Sequence, residues 1–183
     1  MRYLIHCEKL YDDEVWEHFT KFIKKYGKKC HLFLMAPQPT YLKGVLGYRG
    51  TKEELSAKLK KRYKAIAKVQ QKYGFKVGMH MHLAIHPDLI SSEEKDQSVK
   101  FVYKWINQFF VKYGIEVTDI NFGWYRYDQY TANLCKVNGL RIINDQRGFI
   151  TIHDYDLPLS GKLRLEKWLR GKLRRFKGQG PRR

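Results

Sequence analysis

Three histidines fall within seven residues, in the stretch His80-Met81-His82-Leu83-Ala84-Ile85-His86. The residues before them, Phe75-Lys76-Val77-Gly78-Met79, read as a buried strand. If that strand continues, His80, His82 and His86 share one face, because alternate residues of a strand point the same way. Imidazoles aligned like this can ligate a divalent metal or carry protons. Glu8 with His80 and His82, or with His82 and His86, makes a two-histidine, one-carboxylate set with open positions. Such a set can polarise a carbonyl and acidify bound water. His82 and His86 also have the spacing of one helical turn, so the sequence leaves the ligating pair open. His153, oriented by Asp154 or another carboxylate, is a candidate general acid. Trp124, Tyr125, Tyr127 and Tyr130, with Arg126 and Asp128 in the same loop, offer a stacking wall for a sugar, an oxyanion-stabilising lip, or ordinary packing. His18 and His31 read as structural, one on a helix and one opening a strand.

The elements that must position these groups alternate. Helices are expected at about 12–26, 51–73, 92–113 and 128–138. Strands are expected at about 2–7, 30–35, 75–84, 115–122, 140–144 and 149–153. Val15, Phe19, Phe22 and Ile23 share a helical face, as do Leu55, Leu59, Tyr63, Ile66 and Val69. Lys25-Tyr26-Gly27, Lys72-Tyr73-Gly74, Lys112-Tyr113-Gly114 and Val137-Asn138-Gly139 read as helix ends with a left-handed glycine cap. Strands alternating with helices imply parallel pairing through right-handed crossovers. The strands read as apolar on both faces, as a covered parallel sheet requires. The expected fold is therefore α/β, with six or seven parallel strands. In such folds ligands gather where strands end. His6-Cys7-Glu8, His80-Met81-His82, Trp124 to Tyr127 and His153-Asp154 all stand at strand ends. Residues 37–50 read as a Gly/Pro-rich loop over that site.

Length and composition bound the rest. The chain has 183 residues, 43% hydrophobic and 15% aromatic, enough for one domain with a real core. We expect that domain over residues 1–160, followed by a basic helix and flexible tail over 161–183. The net charge is +18, half of it in the tail, where ten Lys or Arg face one acid. That field suits nucleic acid, an anionic surface or an anionic substrate, and also a plain solvated lysine surface. No apolar run is long enough for a membrane span. The first residues read as a strand and not as a secretory signal, so the expected location is the cytosol. Cys7, Cys30 and Cys135 form no C-x-x-C pair and read as reduced core thiols.

With these motifs in place, residues 2–156 resemble the polysaccharide deacetylase family, the NodB-homology carbohydrate esterases. The first-strand acidic motif of that family corresponds to Leu4-Ile5-His6-Cys7-Glu8. Its His-bearing strand corresponds to Tyr73-Gly74-Phe75-Lys76-Val77-Gly78-Met79-His80-Met81-His82. Its Arg- and aromatic-bearing strand end corresponds to Phe122 through Asp128, and its last motif to Phe149-Ile150-Thr151-Ile152-His153-Asp154. The resemblance implies an irregular (β/α) barrel, a divalent metal, mostly zinc, and hydrolysis of N-acetyl or O-acetyl groups on sugars. It implies a metal set drawn from Glu8, His80, His82 and His86, with Glu8 or His6 as base and His153 as acid. Trp124, Tyr125, Arg126 and Tyr127 would then contact substrate. The paired aspartates of the family are absent and His6 stands at the base position, so an altered or lost activity is the other outcome.

A second function fits the same histidines. His80-Met81-His82 matches the His-hydrophobic-His motif of single-strand DNA endonucleases, where a tyrosine attacks the scissile phosphate and basic residues hold the backbone. That reading requires a central antiparallel sheet. A basic module that binds nucleic acid through its tail is a third.

Overall fold

The computed structural model describes residues 2–83, 89–144, 148–157 and Leu169. The elements run β1 (Arg2–Cys7), α1 (Asp13–Tyr26), β2 (Cys30–Met35), α2 (Pro39–Leu46), α3 (Lys52–Tyr73), β3 (Lys76–Met81), α4 (Ser92–Asn107), β4 (Asp119–Phe122), α5 (Gln129–Val137), β5 (Arg141–Ile142) and β6 (Phe149–His153). The strands form one six-stranded sheet in the order β5-β4-β3-β2-β1-β6. Every pairing between them is parallel. The expected α/β fold of six or seven parallel strands is therefore present with six among the described residues, in an open sheet and not in the irregular barrel that the resemblance implies. The sheet is open, with β5 and β6 at its edges. The parallel pairing also removes the antiparallel setting that the endonuclease reading needs.

Helix starts follow local chemistry. Thr51 and Ser91 each accept the backbone N–H of a glutamate three residues on, and that glutamate caps back, so α3 and α4 begin with reciprocal caps. Asp12 and Asp128 cap α1 and α5 with their carboxylates.

Four further expectations change. The fourth helix stops at Asn107, not at 113, and its strand begins at Asp119, not at 115. The buried amide of Asn107 explains the break: it accepts the Val117 N–H at 2.8 Å and donates to the Val117 carbonyl at 3.1 Å. Such an exchange pins an extended chain against the helix end. Residues 37–50 are not all loop, because α2 lies within them. Gly27 is right-handed (φ −46°), unlike Gly74, Gly114 and Gly139. Its requirement is spatial: a Cβ there would lie 2.7 Å from the Tyr73 carbonyl oxygen.

The fourth change concerns the sheet itself. One face, carrying Ile5, Cys7, Leu32, Leu34, Met79, Met81, Ile120, Phe122 and Ile152, packs under the helices as the main core. The other face is not uniformly apolar. Its apolar plug is small, made of Leu4, Phe33 and Ile143 with Phe149 against them. Polar side chains flank the plug on the same face, since residues in register point the same way across a parallel sheet. Toward the strand starts are His31 and Asp119, and toward the strand ends are His6, His80, Asn121 and His153. Phe33 touches both groups, with its ring 4.3 Å from that of His31 and 6.2 Å from that of His6. Among the described residues, no helix is long and apolar enough to cross a membrane. The tail over 161–183 and its proposed boundary lie outside the described residues, apart from Leu169.

Candidate metal centre

Glu8 follows β1 directly. Cys7 is in register with Leu34, and Met35 with His80, so Glu8 arrives level with His80 two strands away. Both side chains lean over β2 and meet. Glu8 Oε1 lies 3.0 Å from His80 Nε2 and 3.3 Å from His82 Nε2, and the two imidazole nitrogens are 3.0 Å apart. All three residues are buried. Two further rings close around them. His6 stacks on His80 with centroids 4.6 Å apart, and His153 Nε2 lies 3.7 Å from Glu8 Oε1. Glu8 therefore belongs to two overlapping potential ligand groups, one with His80 and His82 and one with His6 and His153.

Neighbouring groups set which atoms face the centre. The Asn121 amide donates to the Ile143 carbonyl at 2.6 Å, which turns its oxygen toward His80 Nδ1 at 3.1 Å. The Asn121 oxygen thus takes the Nδ1–H of His80 and leaves Nε2 facing Glu8, the orientation of a metal-binding imidazole. Gln38 fixes His82 through the backbone, donating to its carbonyl at 3.1 Å and accepting its N–H at 3.2 Å. Tyr41, from α2, lies flat on the His82 ring at 3.7 Å and donates its hydroxyl to Glu8 Oε2 at 3.1 Å. Gly123 leaves room for that ring, since a Cβ there would come within 2.0 Å of His82 Cε1 and Nδ1. His82 Nδ1 is buried with no hydrogen-bond partner among the described residues.

Electrostatics favour a cation. Burial raises the Glu8 pKa, but hydrogen bonds from His80 and His82 more than offset it and hold the carboxyl well below the ordinary range. Burial keeps His82 neutral down to about 4, against the pull of Glu8. Burial, then the Glu8 charge, pushes the Tyr41 hydroxyl upward, so it stays a donor. Among the described residues no Lys or Arg pairs with Glu8. An ionised carboxylate buried among imidazoles is costly without positive charge nearby. Two ligands at 2.0–2.2 Å from one ion, at tetrahedral angles, are about 3.4 Å apart. The Glu8, His80 and His82 atoms stand at 3.0–3.3 Å, so the donor set fits a divalent metal such as zinc in both chemistry and spacing.

His153 is oriented by Asp156, not by Asp154. Its ring accepts the Asp156 backbone N–H while the Asp156 carboxylate accepts the His153 backbone N–H at 3.2 Å. Burial lowers the His153 pKa, but Asp156 and the charge of Glu8 reverse this and leave it raised. Asp154 instead holds the chain beside Glu8, accepting the Lys9 N–H at 2.7 Å. Burial, then the Glu8 charge, pushes Asp154 to about 7.

Of the aromatic loop, Trp124 reaches the centre. Its ring is edge-on to His82 at 4.8 Å and it is 40% exposed, on a left-handed backbone (φ 53°). Tyr127 packs on Phe122 at 5.1 Å and accepts from Asn144. Arg126 precedes it, half-buried, and Tyr130 lies under Lys95. His86 and the Tyr125 side chain lie outside what is described. Gln38, Tyr41, Asn121 and Asp156 escaped the sequence reading. The one signal available was an Asn between two large apolar residues of a strand, Ile120-Asn121-Phe122.

This open parallel sheet, with its polar centre at the strand ends, is the polysaccharide deacetylase fold. It is similar to a family 4 carbohydrate esterase from Streptomyces lividans solved with acetate. The two align with a TM-score of 0.58 at 12% identity over 93% of this chain and 88% of that one. It is also similar to a family 4 pseudoenzyme from Bacillus anthracis (0.58, 12%, 93% of this chain and 61% of that one). A mutant of that pseudoenzyme with restored enzymatic activity gives 0.59 at 12%, over 94% of this chain and 63% of that one. No family model and no curated protein matches the sequence.

Proposed function

We propose that the chain is a divalent-metal-dependent hydrolase that removes an acetyl group from an N-acetylated sugar or a similar amide. The observation that carries this is the convergence of Glu8, His80 and His82 within 3.3 Å at the strand ends of a deacetylase fold. Glu8, His80 and His82 hold the metal, zinc by preference of this donor set, which supplies polarisation of the acetyl carbonyl and a more acidic water. His6, stacked on His80, takes the proton of the attacking water. His153, across the centre with Nε2 toward Glu8, gives a proton to the leaving amine. Trp124 stands exposed beside His82 as a wall for the sugar ring, with Tyr125, Arg126 and Tyr127 continuing the loop. Three free buried cysteines support a reducing, cytosolic setting.

Metal content and acetate release from N-acetylglucosamine oligomers test the reading together. Chelation is expected to abolish acetate release, and His6→Ala to lower it about 10²–10⁴-fold with metal content unchanged. Acetate release that survives removal of all metal overturns the proposal.

A further inference from the structure

At the opposite end of the sheet, the strand starts surround a second recess of about 250 Å³. Arg2, Lys28, Lys29 and Lys76 line it, all exposed. Among the described residues its one acidic lining residue, Asp119, is already held by the fork of Arg141 at 2.8 and 2.9 Å, so it cancels none of those four charges. The lining includes His31, whose buried Nε2 makes no hydrogen bond among the described residues and lies 3.4 Å from Asp119 Oδ2. Directly beside it is a recess of about 300 Å³ that shares Lys28 and Lys29 and adds Lys24, Lys25 and Lys72, with no acid in its lining among the described residues.

We propose that these joined recesses are a binding surface for the phosphodiester backbone of single-stranded nucleic acid. Seven cations without an acidic counter-charge among the described residues run along one end of the sheet, continuous through Lys28 and Lys29. A row of this kind matches successive phosphates better than it matches one compact anion. A membrane is the poorer match. None of the large exposed apolar side chains among the described residues lines either recess, and peripheral binding gains from apolar insertion. The surface lies at the strand starts, away from the candidate metal centre, and does not depend on the hydrolase reading.

The test is fluorescence anisotropy of a labelled oligothymidylate of about 20 nucleotides with the full chain, titrated with salt from about 50 mM upward. Lys28→Gln/Lys29→Gln is expected to weaken binding at least about tenfold and to make the log–log salt slope shallower by about 1.4, two phosphate contacts of about 0.7 each. Arg2→Gln/Lys76→Gln is expected to act in the same direction, a second route if the first pair disturbs folding. Lys60→Gln/Lys61→Gln removes equal charge from the exposed side of α3 and is expected to change affinity less than about threefold. The proposal is overturned if both recess pairs bind like this control. It is also overturned if Arg174→Gln/Arg175→Gln in the tail removes the binding that the recess pairs leave intact. Retention on phosphatidylglycerol vesicles without any oligonucleotide binding overturns it as well.

Discussion

The two ends of one sheet face each bury a carboxylate against imidazole, and they resolve its charge differently. At the strand starts, Asp119 meets His31 but is neutralised by the two-pronged guanidinium of Arg141. At the strand ends, Glu8 meets His80, His82 and His153, and among the described residues no Lys or Arg reaches it. The first arrangement is complete within the chain. The second holds an ionised carboxylate among imidazoles whose Nε2 atoms converge, which is the electrostatic description of a cation site. Residue types alone do not distinguish a packed histidine from a ligand. The presence or absence of a built-in cation does.

The largest expected effect comes from emptying the richer end. Glu8→Gln keeps the shape and removes the charge. It is expected to abolish metal retention and to lower acetate release by about 10³-fold or more, read by elemental analysis and product assay. Full metal content in this variant would break the contrast.

Gly123→Ala is next. Its Cβ would intrude on the His82 ring, so we expect an about 10²-fold loss of activity, because small displacements of a positioned group are costly. A steady-state assay beside a metal-affinity titration reads it. Asn121→Leu leaves the Nδ1 proton of His80 without an acceptor and is expected to weaken metal affinity about 10–100-fold.

The strand-start end should respond in stability and leave metal content untouched. Arg141→Ala leaves Asp119 with His31 only and is expected to cost about 1–2 kcal/mol in urea unfolding, with metal content unchanged. Burial holds His31 to about 4, below its ordinary 6.5. As pH falls, the unfolded chain therefore binds this proton first. Stability from this residue is full above about 6.5 and is lost down to about 4. His31→Gln should flatten that part of the pH profile, and an unchanged slope would show that His31 is not its source.

Activity and fold separate among the similar structures. A pseudoenzyme and its mutant with restored enzymatic activity share this architecture, so turnover rests on particular side chains and not on the sheet. On the function proposed above, His6 is the side chain in question. A His6→Asp variant measured beside His6→Ala would locate the proton acceptor directly.

Much of this was readable from the chain in order. Helix faces such as Val15, Phe19, Phe22 and Ile23 follow from apolar spacing, and three of four glycine caps are left-handed as expected. Parallel strands followed from alternation with helices. That Glu8 and the histidines stand at strand ends was likewise visible, because strand ends are marked by local composition. The tertiary structure decided the rest. Register across β1, β2 and β3 brings Glu8 level with His80, and no local signal encodes it. Gln38, Tyr41 and Asn121 join the centre through contacts spanning dozens of residues in sequence. Asp156 replaces Asp154 as the partner of His153 because a short helical turn aims the later carboxylate back at the strand end. Periodicity reports which face a residue takes, since that depends on its own backbone. Which distant group shares that face depends on how strands are laid side by side.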